Sequence, residues 1–336
     1  MKAPVSIWIL VARTDLPYML QTIPNLIKTC NYPFVERVLA VDTAPLTGDK
    51  LLRYATGTQE ELKIACQKLV DAKVIDRIVE IDYEPAKVKK VYQKYFGTEQ
   101  AKQMLNHTHN WKGSTVYASL YCIEEAATDY YLHFDTDMLL HQEEGYDWIC
   151  EAIELMKSIP SIVAMRPLCG PPHPEGKVFY NRPKLDPRGF YGHNFFSMRA
   201  YLVSRQRFSE VTPIPLMWRW RPLLSRKLPS PWRSLFAKVE RKLRSQGGPP
   251  VQGAIESFEI MLNKKLEATD YVRADLSSTK AWTIHPPDHG PEFVRALPKI
   301  LTLIEQGKYP LAQGGYYDLV LKEWLDLISI SEASQK

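Results

Sequence analysis

The chain has 336 residues, 45% hydrophobic and 24% charged, with a formal net charge of +5, the composition of an ordinary globular protein. Five cysteines (Cys30, Cys66, Cys122, Cys150, Cys169) stand scattered with no Cys-x-x-Cys pair, which excludes a disulfide framework or zinc knuckle and points to a reducing, cytoplasmic setting. The apolar run over 5–12 is too short to cross a bilayer and lacks a cleavage site, so neither a membrane span nor a signal peptide is expected. The charge is uneven: between Arg199 and Arg244 the balance is about +10, leaving about −5 elsewhere.

In chain order, a first buried strand covers 5–12 and ends in Arg13-Thr14-Asp15. A helix over about 16–30 carries Leu20, Ile23, Leu26 and Ile27 on one face, with a kink or break expected at Pro24. A second strand over 35–41 ends in Asp42. A helix over 58–72 opens with Thr58 and Glu61 at capping-box spacing. A third strand over 76–82 and helical stretches over 85–104 and 114–127 follow. This alternation implies a mainly parallel sheet with both faces covered. Trp111-Lys112-Gly113-Ser114 precedes the last of these helices. Its backbone amides and Lys112 read equally as an anion-binding turn or as a capped helix start.

The central segment is Tyr130-Tyr131-Leu132-His133-Phe134-Asp135-Thr136-Asp137-Met138. If the chain stays extended to Asp137, a period of two puts both carboxylates on one side at the strand's C-terminal end, the edge where open α/β sheets bind ligands. Two neighbouring carboxylates suit a hard divalent ion with a diphosphate; an Asx turn closing a strand is the alternative. Three strands ending in polar residues at one edge (Arg13-Thr14, Asp42, Asp135/Asp137) suggest a nucleotide pocket. Neither Gly-x-Gly-x-x-Gly nor a P-loop is present.

The second half reads as a helix over 143–159, a strand over 161–166, a long Pro/Gly-rich loop over 167–189 with the look of a flap, and an aromatic stretch over 190–196. Ser230-Pro231 and Gly247-Gly248 bracket a basic amphipathic helix bearing Trp232, with Trp218-Arg219-Trp220-Arg221 upstream. It reads as contact with an anionic membrane surface, or as a helix packed on its own domain. No nucleic-acid module accompanies the charge. A helix over 251–266 carries Glu256 and Glu259. Short strands over 271–274 and 281–284 precede His285-Pro286-Pro287-Asp288-His289, and two helices over 291–306 and 316–328 close the chain.

The ordered set resembles the family 2 glycosyltransferases of the GT-A fold. The opening 11–20, Asp42, the run from Trp111 to Asp137, the stretch 194–199 as an acceptor-side strand, the Glu256-Ser257-Phe258-Glu259 helix and His285 each match a part of that pattern. The resemblance implies an α/β fold: a Rossmann-like nucleotide-binding sheet with helices on both faces. It implies one domain over 1–290 with a basic insertion at about 199–248, and a C-terminal helical extension over 291–336. It implies Mn²⁺ or Mg²⁺ held by Asp135, Asp137 and His285. The nucleotide-sugar donor would be bound by Arg13, Thr14, Asp42, Lys112 and Asp135, and the acceptor would be a glycan or lipid-linked hydroxyl. The protein would work in the cytoplasm, peripherally on the inner face of a membrane. Ser257 stands where the family carries its catalytic aspartate, so Glu256 or Glu259 would take that role, with Glu256 the preferred candidate, and an inverting outcome stays open. Two other readings remain: a haloacid-dehalogenase-like phosphatase using Asp135, and a non-catalytic nucleotide-sugar or glycan-binding partner.

Overall fold

The structure, a computed structural model, describes residues 2–179, 184–193, 195–220, 232, 244–245 and 253–333. Its central strand is β1 (Val5–Val11), whose side chains alternate between two apolar layers: Ile7, Ile9 and Val11 in one, Trp8 in the other. A strand covered by helices on both faces needs to be apolar on both. A 3₁₀ turn at Arg13–Asp15 leads to α1 (Met19–Cys30), which continues through Pro24. β2 (Glu36–Val41), α2 (Gln59–Asp71) and β3 (Arg77–Glu80) follow. Thr58 and Glu61 form the reciprocal cap of α2. The stretch expected as one helix over 85–104 is two, α3 (Pro85–Phe96) and α4 (Thr98–Met104), because Gly97 adopts φ +81° between them. α5 (Tyr117–Glu125) feeds β4 (Tyr130–Asp135). β1 lies parallel to β2 on one side and β4 on the other, and β3 extends the parallel set beyond β2.

After β4 come β5 (Leu139–Gln142), α6 (Trp148–Ser158), β6 (Ile162–Arg166), β7 (Leu168–Cys169), β8 (Lys184–Asp186), β9 (Phe190–His193), β10 (Ala200–Ser204) and α7 (Arg205–Glu210). Then follow β11 (Trp218–Trp220), β12 (Arg244–Ser245), β13 (Gly253–Ile255), α8 (Phe258–Leu266), β14 (Val272–Leu276), β15 (Ala281–Ile284), α9 (Pro291–Glu305) and α10 (Leu321–Ala333). Among the described residues the main sheet has the order β3-β2-β1-β4-β10-β6-β14-β9-β8, with β10 antiparallel to both neighbours. A second sheet, β5-β15-β7, supports α9 and α10 through an apolar cluster of its own, with Trp282, Phe293, Leu297 and Trp324 buried in it.

Several expected boundaries move for physical reasons. The strand expected at 194–199 is instead β10: the apolar run Ala200-Tyr201-Leu202-Val203 takes the sheet position and leaves 195–199 as the loop at its entrance, while Asn194 lies outside the described residues. The helix expected from 143 starts at Trp148, capped by Asp147, because 139–142 is drawn into the second sheet. The helix expected over 251–266 begins only at Phe258. Ser257 is its N-cap, and Gly253–Ile255 pairs with β11. Glu256 therefore precedes the helix rather than riding on it. The last helix starts at Leu321, not 316. The basic helix expected between Ser230 and Gly248 lies outside the described residues apart from Trp232 and Arg244–Ser245. Trp218 and Arg219 are buried.

A buried ionic cluster locks β6, β9 and β14 together. Arg166 Nε and Nη2 donate to the two oxygens of Asp275 at 2.8 and 3.3 Å, Arg273 Nη2 donates at 3.2 Å, and His193 Nε2 lies 3.0 Å away. Burial alone would raise the Asp275 carboxyl; Arg166, Arg273 and His193 around it instead hold it far below the usual carboxylate range. Its stabilising contribution is thus fully present above the unfolded-state value of about 4 and lost as pH falls through the folded-state value. Asp275→Asn removes the carboxylate between two fully buried guanidiniums and should destabilise the protein by about 3–5 kcal/mol at neutral pH. Urea unfolding checks this, and the gap from wild type should narrow below about pH 4.

Candidate functional site

The C-terminal ends of β1, β2 and β4 open onto one cleft of about 840 Å³. Thr14, Asp42, Lys112, Asp135, Asp137, Glu256 and His285 all line it. Arg13 does not: its guanidinium turns away and donates to the Gly57 carbonyl at 3.3 Å. Its place on that wall is taken by Asp15 and Tyr18. The Asp15 carboxylate accepts from the Ala12 amide and the Tyr18 hydroxyl, both at 2.7 Å.

Asp42 is 5% exposed and already engaged. Oδ1 accepts from the Tyr83 hydroxyl at 2.7 Å and the Ala44 amide at 3.1 Å, and Oδ2 lies 3.0 Å from His109 Nε2. Burial would raise its carboxyl, but His109 and Tyr83 bring it below the ordinary value. The turn before α5 is also internally satisfied. The Lys112 and Ser114 amides both donate to Asn110 Oδ1, at 2.8 and 3.0 Å, so they are not the anion nest the sequence suggested. Lys112 still contributes its side chain to the cleft. Trp111 forms the neighbouring wall, with the Arg219 guanidinium 3.9 Å above its ring and its indole N–H donating to Glu256 Oε1 at 3.3 Å.

The two carboxylates of the central motif reach the cleft by different means. β4 ends at Asp135, and a turn closed by Met138 N to Asp135 O at 3.1 Å carries Asp137. The extended geometry expected through Asp137 is absent because the chain must reverse into β5. The Asp135 side chain is 43% exposed and lies 3.1 Å from His133 Nε2. Asp137 is buried. Its Oδ2 faces His289 Nε2 at 2.8 Å and His285 Nε2 at 3.6 Å, and its Oδ1 has no hydrogen-bond partner. Burial would push the Asp137 carboxyl up; His285 and His289 beside it bring it far below the ordinary range. Burial would lower His285, yet the Asp137 and Asp318 carboxylates hold it above its usual value.

Among the described residues no group of three or more His, Cys, Asp or Glu side chains is placed to hold a metal ion. A buried carboxylate oxygen without a donor, next to a histidine and in one cleft with a second carboxylate, is a partial donor set that a hard cation would complete with ligand oxygens. On the facing wall, Glu259 carries a carboxyl held above its ordinary value by burial, against the opposing pull of Arg199, Arg273 and Arg166.

Sequence reasoning missed His289, Asp318, Arg53 and Arg199. His289 was visible in the run that follows β15. Asp318 had no local signal, because 33 residues separate it from the histidine it touches. Among the described residues, the loop over 167–189 contributes no lining residue. Its described part docks instead on the C-terminal segment, with Phe179 stacked on Tyr316 at 4.5 Å.

No protein-family model matches the chain, and no curated protein matches it. Solved structures similar to it include GalNAc-T7 with UDP, GalNAc and Mn²⁺ (11% identity, TM-score 0.45, 84% of this chain but only 44% of that one). The galactosyltransferase LgtC with donor and acceptor sugar analogues is another (11%, TM-score 0.31, 78% of this chain and 70% of that one). An active-site mutant of LgtC is a third (12%, TM-score 0.28, 61% and 59%).

The wall around Lys50 depends on one close approach. Gly113 has φ +82°, and a Cβ there would run into the Thr47 carbonyl; Gly48 meets the Lys112 carbonyl in the same way. The Asp49 amide then donates to Lys112 O at 2.9 Å. Gly113→Ala should therefore weaken folding by about 1–3 kcal/mol and displace the 47–53 loop. Thermal unfolding together with proteolysis of that loop measures both effects.

Proposed function

We propose that this chain is a metal-dependent glycosyltransferase of GT-A type, resembling family 2, that moves a sugar from a nucleotide-sugar to an acceptor hydroxyl. The observation that carries this reading is Asp137: a buried carboxylate with one oxygen lacking a donor, beside His285 and in the same cleft as Asp135 and Asp42. Asp135, Asp137 and His285 are the residues that would hold Mn²⁺ or Mg²⁺. Such an ion supplies Lewis-acid neutralisation of the charge that gathers on a departing diphosphate. Lys50, Lys112 and Arg53 add positive charge along the same cleft. Thr14 and the Asp42–Tyr83–His109 group form the nucleoside end, with Asp42 organising its neighbours as much as meeting the base.

For the proton acceptor we favour Glu259 over Glu256. Glu256 is 1% exposed, and its Oε1 already accepts from Trp111 and from the Ser257 amide at 2.9 Å. The Glu256 oxygen is thus already engaged, whereas burial raises the proton affinity of Glu259, which makes it the stronger candidate base. The acceptor is proposed as a glycan or lipid-linked hydroxyl, brought close by the basic segment over 199–248 at an anionic membrane surface. The described residues contain no helix long and apolar enough to cross a membrane. All five cysteines are free, which supports a reducing, cytoplasmic setting.

A thermal-shift panel of nucleoside diphosphates and nucleotide-sugars, with Mn²⁺, Mg²⁺ or EDTA, tests the donor site. Ligand at about 100 times its dissociation constant should stabilise wild type by roughly 2.7 kcal/mol. Asp137→Asn should lose the metal-dependent part while remaining folded; unchanged binding in that variant would sink the assignment. With the donor identified, Glu259→Gln should lower kcat by about 10²- to 10⁴-fold with donor affinity retained, and full turnover would return the role to Glu256.

A further inference from the structure

Two histidines face Asp137, and their outer nitrogens meet opposite partners. His289 Nδ1 lies 3.1 Å from Arg53 Nη1. A guanidinium only donates, so Nδ1 accepts and Nε2 is the N–H that donates to Asp137 Oδ2. His285 Nδ1 lies 3.2 Å from Asp318 Oδ1. A carboxylate accepts, so Nδ1 carries the proton there, and in the neutral ring that binds a cation Nε2 holds the lone pair, 3.6 Å from Asp137 Oδ2. That separation exceeds a hydrogen bond. A histidine whose outer N–H is given to a carboxylate is the arrangement that fixes ring orientation and tautomer for metal ligation.

The segment that carries Asp318 is built to hold this position. Gln313 is fully buried and uses its whole amide. Its NH₂ donates to Tyr316 O and Asp318 O at 2.8 and 3.1 Å, and its oxygen accepts from the Val320 amide and the Trp324 indole, both at 2.9 Å. The His285 amide donates to Tyr317 O at 2.9 Å, and the Leu319 amide donates to His285 O at 2.8 Å. Tyr317 stacks on the His285 ring with centroids 6.0 Å apart. The C-terminal region is thus clamped to the backbone of His285 on both sides of Asp318.

We infer that the segment 313–319 is a working part of the site. In it Asp318 is the positioning residue that orients His285 as the cation ligand, while Arg53 sets His289 as the donor that holds Asp137. This inference rests on the metal-dependent reading proposed above. It adds that the C-terminal region, expected from sequence as a separate extension, completes the donor site. The Asp318 side chain is 64% exposed, so its replacement should leave the fold intact.

The test is Mn²⁺ affinity, read by electron paramagnetic resonance of free Mn²⁺ in the presence of UDP, GDP, CDP or ADP, on wild type, Asp318→Ala and Asp318→Asn. Asp318→Ala should weaken Mn²⁺ binding by about 10- to 100-fold at an unchanged thermal midpoint. Asp318→Asn, whose amide oxygen still accepts the Nδ1–H, should retain clearly more affinity than the alanine variant. Wild-type affinity in Asp318→Ala would overturn the inference and leave the transferase reading standing. So would equal losses in both variants, since charge rather than orientation would then explain them. A wild-type protein that binds no Mn²⁺ with any of the four nucleotides would overturn the inference together with the reading beneath it.

Discussion

A buried carboxylate without enough donors is the constraint around which this molecule is arranged. Asp137 sits in the turn between β4 and β5, with Phe134, Met138, Leu139 and Leu140 buried on either side of it in the chain, and removing a charge from water is strongly unfavourable unless it is paired. His289, His285 and, behind them, Arg53 and Asp318 supply that pairing from three separate parts of the chain. One oxygen is still left without a donor. The fold stabilises the anion enough to keep it charged but stops short of saturating it.

The sheet explains why these parts meet. Parallel β1, β2 and β4 point their C-terminal ends the same way, so the residues that end them converge without any local motif joining them. The antiparallel β10 then brings Met198 and Arg199 to the same edge from the opposite direction. Behind it, the buried Arg166–Asp275–Arg273 cluster fixes β6 and β14 and leaves net positive charge near Glu259. That charge limits how far burial raises the Glu259 carboxyl. The same ionic cluster that holds the sheet together therefore also tunes the Glu259 wall of the cleft.

Much of the first half was legible because its signals are local. Apolar runs such as 5–11, the Thr58–Glu61 cap and the strand into Asp135 need no tertiary information to be read. The Asp135–Asp137 pair was readable as a site, though not as geometry, since a turn rather than an extended strand places Asp137. The later errors share one cause. At 139–142, 195–199 and 253–257 the local pattern allowed helix or strand, and pairing with distant strands decided: β15, the β4–β6 gap and β11. Asp318 and Arg53 were illegible for a stricter reason. Their roles exist only through contacts 33 and 236 residues away along the chain.

The two histidines show how the fold assigns unlike tasks to like residues. Both rings turn Nε2 toward one carboxylate, and spacing alone would make either a ligand. The difference lies behind them. A donor on Nδ1 forces His289 to be a donor at Nε2, whereas an acceptor on Nδ1 lets neutral His285 present a lone pair at Nε2. Arg53 belongs to the loop that Gly48 and Gly113 bring against the Lys112 turn, and Asp318 belongs to the segment wound around Gln313. The chemistry available at Asp137 is thus set by two peripheral segments, neither of which contributes a strand to the main sheet.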